Sequence, residues 1–295
     1  MDTQDRRSFI MDSIISFFRK LFGASDEAPA PSNQPLTGTK KALCVGISDY
    51  PGTSNDLQWC VNDCQAWSDL LKSKFGFSAR TLVDSQATRS NFVNEFKNLL
   101  SLAQPGDHLV VTYSGHGSTV IDEDGDEPDG RDETLYLYDG NLVDDEIRTI
   151  LSTLPGTVGF TFISDSCHSG TVTRAVMGLF GNDQCIRPRY MPPADNVDAA
   201  TVASLPTLKR VFYAEGDMKG VLLAGCRDME YSYDGDNTMK MGVMSYHATN
   251  ILKENPPMTY EDFYAKLRTK LPNAKFPQTP QLEGRDDLKK KIMFS

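Results

Sequence analysis

Four short apolar runs constrain the fold of this chain more than any other feature: Ala42–Ile47, His108–Tyr113, Gly159–Ile163 and Val221–Ala224. Each has the length of a buried strand, and none alternates polar with apolar as a half-exposed strand would. Between them the pattern changes to helical spacing. Asn62 to Lys74 reads as a helix ended near Gly76, and Thr88 to Leu102 carries Phe92, Phe96, Leu99 and Leu100 on one face. Further helices are expected at Asp144 to Leu151, at 242–253 and at 259–270, with an additional short strand at Arg80–Val83. Alternating apolar strands and helices predict an α/β fold, a mostly parallel central sheet of about six or more strands with helices on both faces.

The composition agrees with a folded enzyme-sized domain. The chain has 295 residues, 39% hydrophobic and 24% charged, with a net charge of −10. A protein that coats nucleic acid would be basic, so no nucleic-acid partner is expected. The acidity is local: Asp122 to Glu146 contains twelve acidic residues against one basic residue, Arg131. Such a run repels itself unless it is solvated or holds a cation. Six cysteines, Cys44, Cys60, Cys64, Cys167, Cys185 and Cys226, are scattered rather than patterned. They read as reduced thiols, which places the protein in the cytoplasm. Cys60 and Cys64 lack a second Cys/His pair at zinc spacing.

No stretch approaches 18 uninterrupted apolar residues, so no membrane span is expected. Arg6-Arg7 precedes an apolar run, but Asp12 interrupts it and Arg19-Lys20 ends it, unlike an export signal. Ile10, Ile14, Phe17, Phe18 and Leu21 share one helical face, so residues 6–22 read as an amphipathic helix. Docking on the main domain, on a partner or on a membrane surface are its three possible uses. Residues 24–39 read as a linker, giving an N-terminal extension over 1–39 and a folded domain over 40–295. Residues 174–219 contain four prolines and weak periodicity, a long connection between a larger region (40–173) and a smaller one (220–295).

In an open parallel sheet the site forms where strands end at their C-terminal edge. One apolar run leads into Tyr113-Ser114-Gly115-His116-Gly117, another into Asp165-Ser166-Cys167-His168-Ser169-Gly170. A His and a Cys at such strand ends can form a pair in which imidazole takes the thiol proton and the thiolate attacks a carbonyl. Residues two apart on a strand share a face, so Asp165 lies with Cys167 and Ser114 with His116. A carboxylate beside the reacting pair attracts a basic side chain and repels an acidic one.

These two motifs, with Cys60-Val61-Asn62-Asp63 upstream and Gln278-Thr279-Pro280-Gln281 near the end, resemble the metacaspases, cysteine peptidases of caspase-like fold. The resemblance covers residues 40–295 and follows the type I layout, without that type's paired-Cys, Pro-rich extension. It implies Cys167 as nucleophile, His116 as general base and then acid, and the main-chain amides of Gly117 and Cys167 as oxyanion hole. His168, pointing away in an extended segment, is not expected to be the base. The resemblance also implies that Asp63, Asp165, Ser114 and Cys60 hold Arg or Lys before the scissile bond. Substrates would be proteins or peptides cut after a basic residue, and the enzyme a monomer.

Calcium is the cofactor the resemblance implies, with its carboxylates falling on Asp132, Asp144 and Asp145. A fourth acidic position is replaced by Arg174. The connection over 174–219 holds Arg187, Arg189, Lys209, Arg210 and Lys219. An enzyme that cuts after basic residues could cut itself there, with Lys209-Arg210 the first expectation and Lys219 the second. Other readings are a clostripain- or legumain-type relative and a calcium-responsive binding module. A Cys-dependent phosphatase is disfavoured, since six residues rather than five separate Cys167 from Arg174 and Asp165 would repel phosphate.

Overall fold

The structure is a computed structural model; it describes residues 38–121, 131–167, 187–192, 218–227 and 230–295. The predicted N-terminal helix and linker fall almost wholly outside these residues, as do His168, Arg174, Lys209 and Arg210.

In chain order the elements are β1 (Lys40–Gly46), α1 (Cys60–Phe75), β2 (Ser78–Val83), α2 (Arg89–Ser101), β3 (His108–Ser114) and β4 (Gly117–Ile121). There follow β5 (Arg131–Leu137), β6 (Gly140–Val143), α3 (Asp144–Ser152), β7 (Gly159–Asp165) and β8 (Val221–Ala224). The last are α4 (Val243–Glu254), α5 (Tyr260–Arg268), β9 (Gln281–Glu283) and α6 (Asp286–Lys289). A six-stranded sheet runs β2-β1-β3-β7-β8-β9; all its pairs are parallel except β8 with β9. β4, β5 and β6 form a separate three-stranded antiparallel sheet.

The alternation of side chains along the central strands divides the core in two. Leu43, Val45, Leu109, Val111, Phe160, Phe162 and Leu222 face one side, where Phe92, Phe96 and Leu100 of α2 and Ile147, Ile150 and Leu151 of α3 cover them. Ala42, Cys44, Val110, Ile163, Val221 and Leu223 face the other, under Trp67 and Leu71 of α1, Met244 and Ala248 of α4, and Phe263 of α5. Burial on both faces explains why these strands are apolar throughout. The helix boundaries follow local chemistry. Thr88 and Thr259 cap α2 and α5 by accepting the amides of Asn91 and Asp262, and Gly76, at φ 76°, ends α1 in the left-handed region. No helix among the described residues is long and apolar enough to cross a membrane.

Candidate active site

β3 and β7 pair in register from His108↔Gly159 to Ser114↔Asp165. Two residues further along each strand come His116 and Cys167, so the two motifs meet at one end of adjacent central strands. Both residues are buried.

His116 is fixed on every side. Its amide donates to Tyr50 Oη at 2.8 Å, and its carbonyl accepts from the Tyr136 amide at 3.0 Å and lies 2.6 Å from Tyr113 Oη. Gly115 is required by that close approach: a Cβ there would stand 2.7 and 2.8 Å from the hydroxyls of Tyr113 and Tyr50. The imidazole packs on the Tyr50 ring, centroids 4.8 Å apart. Its Nε2 is 2.7 Å from the carbonyl oxygen of Asn55, which can only accept. Nε2 therefore carries the proton, and Nδ1, buried without a hydrogen-bond partner, presents its lone pair. Burial pushes the imidazole down to about 4, so the ring is neutral at physiological pH.

The Cys167 thiol rests against the main chain of Ser232, donating to its carbonyl at 3.1 Å with the Ser232 amide 2.8 Å away. The Cys167 amide points elsewhere. It donates to the carbonyl oxygen of Arg189 at 3.1 Å, and the Gly117 amide donates to the same oxygen at 3.0 Å. The two amides expected to form an oxyanion hole thus converge on one carbonyl of this chain.

The Arg189 side chain runs into a closed acidic pocket. Its Nη2 lies 2.6 Å from Asp63 Oδ2 and 2.9 Å from Asp234 Oδ1, while Nη1 lies 3.0 Å from the Asp165 carbonyl and 3.2 Å from Asp165 Oδ2. The guanidinium and all three carboxylates are at most 1% exposed. Each carboxylate is aimed by a main-chain amide: Gly242 donates to Asp63 at 2.8 Å, Ser245 to Asp165 at 3.0 Å and Gln58 to Asp234 at 2.6 Å. Ser232 Oγ also donates to Asp165 Oδ1. Burial would pull the guanidinium down, but Asp165, Cys60, Asp63 and Asp234 outweigh it and hold it charged well above its ordinary value. For Asp63 burial wins over the pull of Arg189, and its carboxyl rises to about 7. The Cys60 thiol is pushed up by burial, and Asp234, Asp63 and Asp165 add to that rise. Ser114 ends β3 opposite Asp165 and is buried.

Around Arg189 the chain lies extended across this site. Its amide donates to the Ser232 carbonyl at 3.0 Å, the Asp234 amide donates to the Arg187 carbonyl at 2.9 Å, and Pro188 bridges antiparallel to Tyr233. Beyond it, Tyr190 bridges parallel to Gly117, and the Met191 amide donates to the Gly117 carbonyl at 2.8 Å. Gln278, from the C-terminal motif, braces the wall by donating to the Gly225 carbonyl at 2.9 Å and accepting from the Tyr233 amide at 3.2 Å.

The structure therefore gathers Cys167, His116, Gly117, Asp63, Asp165, Ser114 and Cys60 at one end of the sheet. The sequence reading missed Asp234, Ser232 and Asn55. Asp234 and Ser232 are two apart in an extended stretch, but nothing in Tyr231-Ser232-Tyr233-Asp234 marks it as a pocket wall. Of the calcium candidates, Asp132 in β5 and Asp144 at the start of α3 are buried at the same end of the β5–β6 pair, near Thr134↔Val143. The side chain of Asp145 lies outside the described residues. Two carboxylates suit a hard divalent cation in chemistry but not yet in number. Among the described residues no three His, Cys, Asp or Glu side chains form a metal-holding group. Lys219 stands next to β8, its Nζ donating to the Leu154 carbonyl at 3.2 Å and the Ser152 carbonyl at 3.4 Å.

A parallel sheet with a Cys and a His at adjacent strand ends, two convergent amides and a closed pocket beside them defines a caspase-like cysteine hydrolase. Residues 40–175 match the family model of the metacaspase peptidase C14 domain. Metacaspase-1 of Schizosaccharomyces pombe is 31% identical over 288 residues, 83% of this chain and 67% of that protein. Metacaspase-1 of Meyerozyma guilliermondii is 31% identical over 324 residues, 96% of this chain and 78% of that protein. The crystal structure of protein GSU0716 from Geobacter sulfurreducens superposes with a TM-score of 0.72 at 27% identity, covering 88% of this chain and 99% of that one. The chain belongs to the metacaspase family and is a cysteine-type peptidase.

Proposed function

We propose that this peptidase is an endopeptidase that cuts after Arg or Lys by a Cys167–His116 dyad. The observation that carries the reading is Arg189, whose guanidinium is held by Asp63, Asp165 and Asp234 while its carbonyl oxygen accepts from both the Gly117 and Cys167 amides. A residue before a scissile bond must satisfy both conditions at once. Three buried carboxylates would repel an acidic side chain and leave a neutral one facing uncompensated charge.

His116 Nδ1 takes the proton of Cys167, and the thiol turns from Ser232 to attack the carbonyl carbon. The Gly117 and Cys167 amides hold the oxyanion, and His116 returns the proton to the leaving amine. Water then releases the acyl group. The test is hydrolysis of matched peptides ending in Arg, Lys, Gln or Asp, with Cys167→Ala as blank. Arg and Lys peptides should be cut at least ~10²-fold faster in kcat/KM than the others; equal rates for Gln and Arg peptides would end the assignment.

Calcium activation belongs to the same reading, with Asp132, Asp144 and Asp145 as carboxylate ligands. A bound divalent cation would neutralise part of the acidic run over 122–146. Calcium should raise the Tm of Cys167→Ala in a titration that Asp132→Asn weakens, and chelator should abolish peptide hydrolysis. Self-processing in the connection between the larger and smaller regions is part of the proposal too.

A further inference from the structure

We infer that the bond this protein cuts in itself is Arg189–Tyr190, and that until it is cut residues 187–191 fill the cleft as a built-in substrate. The inference deepens the basic-residue peptidase reading and rests on it.

Residues 187–191 meet each requirement of a bound substrate. Residues 187–189 pair antiparallel with 232–234, through the Arg189 amide on the Ser232 carbonyl and the Asp234 amide on the Arg187 carbonyl. The Arg189 side chain fills the acidic pocket. On the far side of the bond, the Met191 amide grips the Gly117 carbonyl. The carbonyl between these anchors is the one that the Gly117 and Cys167 amides polarise. The thiol is adjacent, since Cys167 Sγ and the Arg189 amide share the Ser232 carbonyl as acceptor at 3.1 and 3.0 Å. An external substrate needs the same amides and the same carboxylates, so it is excluded while Arg189 is seated.

The chemistry consumes one water. Sulfur bonds to the Arg189 carbonyl carbon, the C–N bond to Tyr190 breaks, and the thiol proton passes through His116 to the Tyr190 nitrogen. Water then hydrolyses the thioester, leaving a carboxyl group on Arg189 and restoring the thiol. Neither Lys209 nor Arg210 lies within the described residues, and Lys219 is engaged at the edge of β8 rather than in the pocket.

The experiment follows the full-length chain with calcium present, by intact mass and N-terminal sequencing, alongside an Arg-ended fluorogenic peptide. Wild type should yield a fragment beginning at Tyr190, and Cys167→Ala should stay whole. Arg189→Lys should keep the cut; Arg189→Gln should slow it by about 10²-fold and hydrolyse the peptide from time zero, without the lag of wild type. The half-time of self-cleavage should not change on tenfold dilution; a half-time that lengthens on dilution would overturn cleavage within one molecule. Peptide hydrolysis by wild type with the Arg189–Tyr190 bond intact would overturn the inference alone. Absence of any hydrolysis, of peptide or chain, would instead sink the peptidase reading and this inference together. Should Arg189→Gln fail to fold, the wild-type, Cys167→Ala and Arg189→Lys fragments still decide the matter.

Discussion

Asp63 and Arg189, 126 positions apart, meet at 2.6 Å with neither side chain exposed to solvent. A buried ion pair is strongly weakened when one partner is truncated, because the other charge is left in a medium that cannot solvate it. Asp63→Asn should therefore raise KM for Arg-ended peptides by about 10²-fold, roughly 3 kcal/mol, and leave the poor cleavage of Gln-ended peptides little changed. Steady-state kinetics on both peptides checks this; a matched loss on both would make Asp63 structural rather than a recognition group.

The Asp63 carboxyl, raised to about 7 by burial, gives that recognition a pH dependence. As pH falls through this region Asp63 gains a proton and loses its attraction for a guanidinium. The kcat/KM for Arg peptides should therefore fall on the acid side from about pH 7, while kcat, which depends on a His116 imidazole held down at about 4, should not. A profile in which kcat falls together with kcat/KM near neutrality would assign the limb to the imidazole instead.

Gly242 lines the same pocket. A Cβ there would stand 2.4 to 2.5 Å from the guanidinium atoms of Arg189, a distance that forces the occupant out. The backbone at this position has an ordinary φ of −59°, so an alanine brings no strain of its own. Gly242→Ala should cut kcat/KM for Arg peptides by at least 10-fold and penalise Lys peptides less, because an ammonium is slimmer than a guanidinium. Competition between the two peptides in one reaction reads the ratio directly.

How far the site could be read from residues alone divides along the same lines. Cys167, His116 and Asp165 lie within short motifs at the ends of strands, so strand ends and alternation place them together, whereas Asp63, inside α1, is reached only through the resemblance. Asp234 lies in an extended stretch outside the sheets and Asn55 ends a single 3-10 turn, and only tertiary closure brings them to the pocket. Arg189 was one of several basic residues in a long connection, and no local pattern distinguishes it from Lys209 or Arg210. The fold shows the same division. The strands buried on both faces were evident as apolar runs. The β4–β5–β6 sheet was not, because β5 opens with Arg131-Asp132-Glu133-Thr134, which reads as part of the acidic run. β9 escaped notice because it spans only three residues.

Two neutral histidines make stability fall in acid. His108, between Ser295 O and Thr161 Oγ1 at 3.1 Å each, is pushed by burial to about 4, as is His116. A depressed folded pKa on a base means that the unfolded chain binds the proton first. The stabilisation is whole above about 6.5 and lost as pH falls toward 4. Each histidine should remove on the order of 2 kcal/mol of unfolding free energy between pH 7 and pH 5. His108→Gln should flatten about half of the slope in urea melts of Cys167→Ala; an unchanged slope would place the acid sensitivity elsewhere.

β8 enters the central sheet from beyond the long connection, lying parallel to β7 and hydrogen-bonded to it from Thr161↔Val221 to Ser164↔Ala224. A chain severed after Arg189 would thus remain one particle, its two polypeptides sewn together by a shared sheet and by α4 and α5 packed on its face. The acidic pocket would straddle the seam, with Asp63 and Asp165 on one polypeptide and Asp234 on the other. Neither half could recognise a substrate unaided. Denaturing the nicked enzyme would turn refolding into a second-order encounter of fragments, so recovery of activity would depend on concentration, as an intact chain's would not.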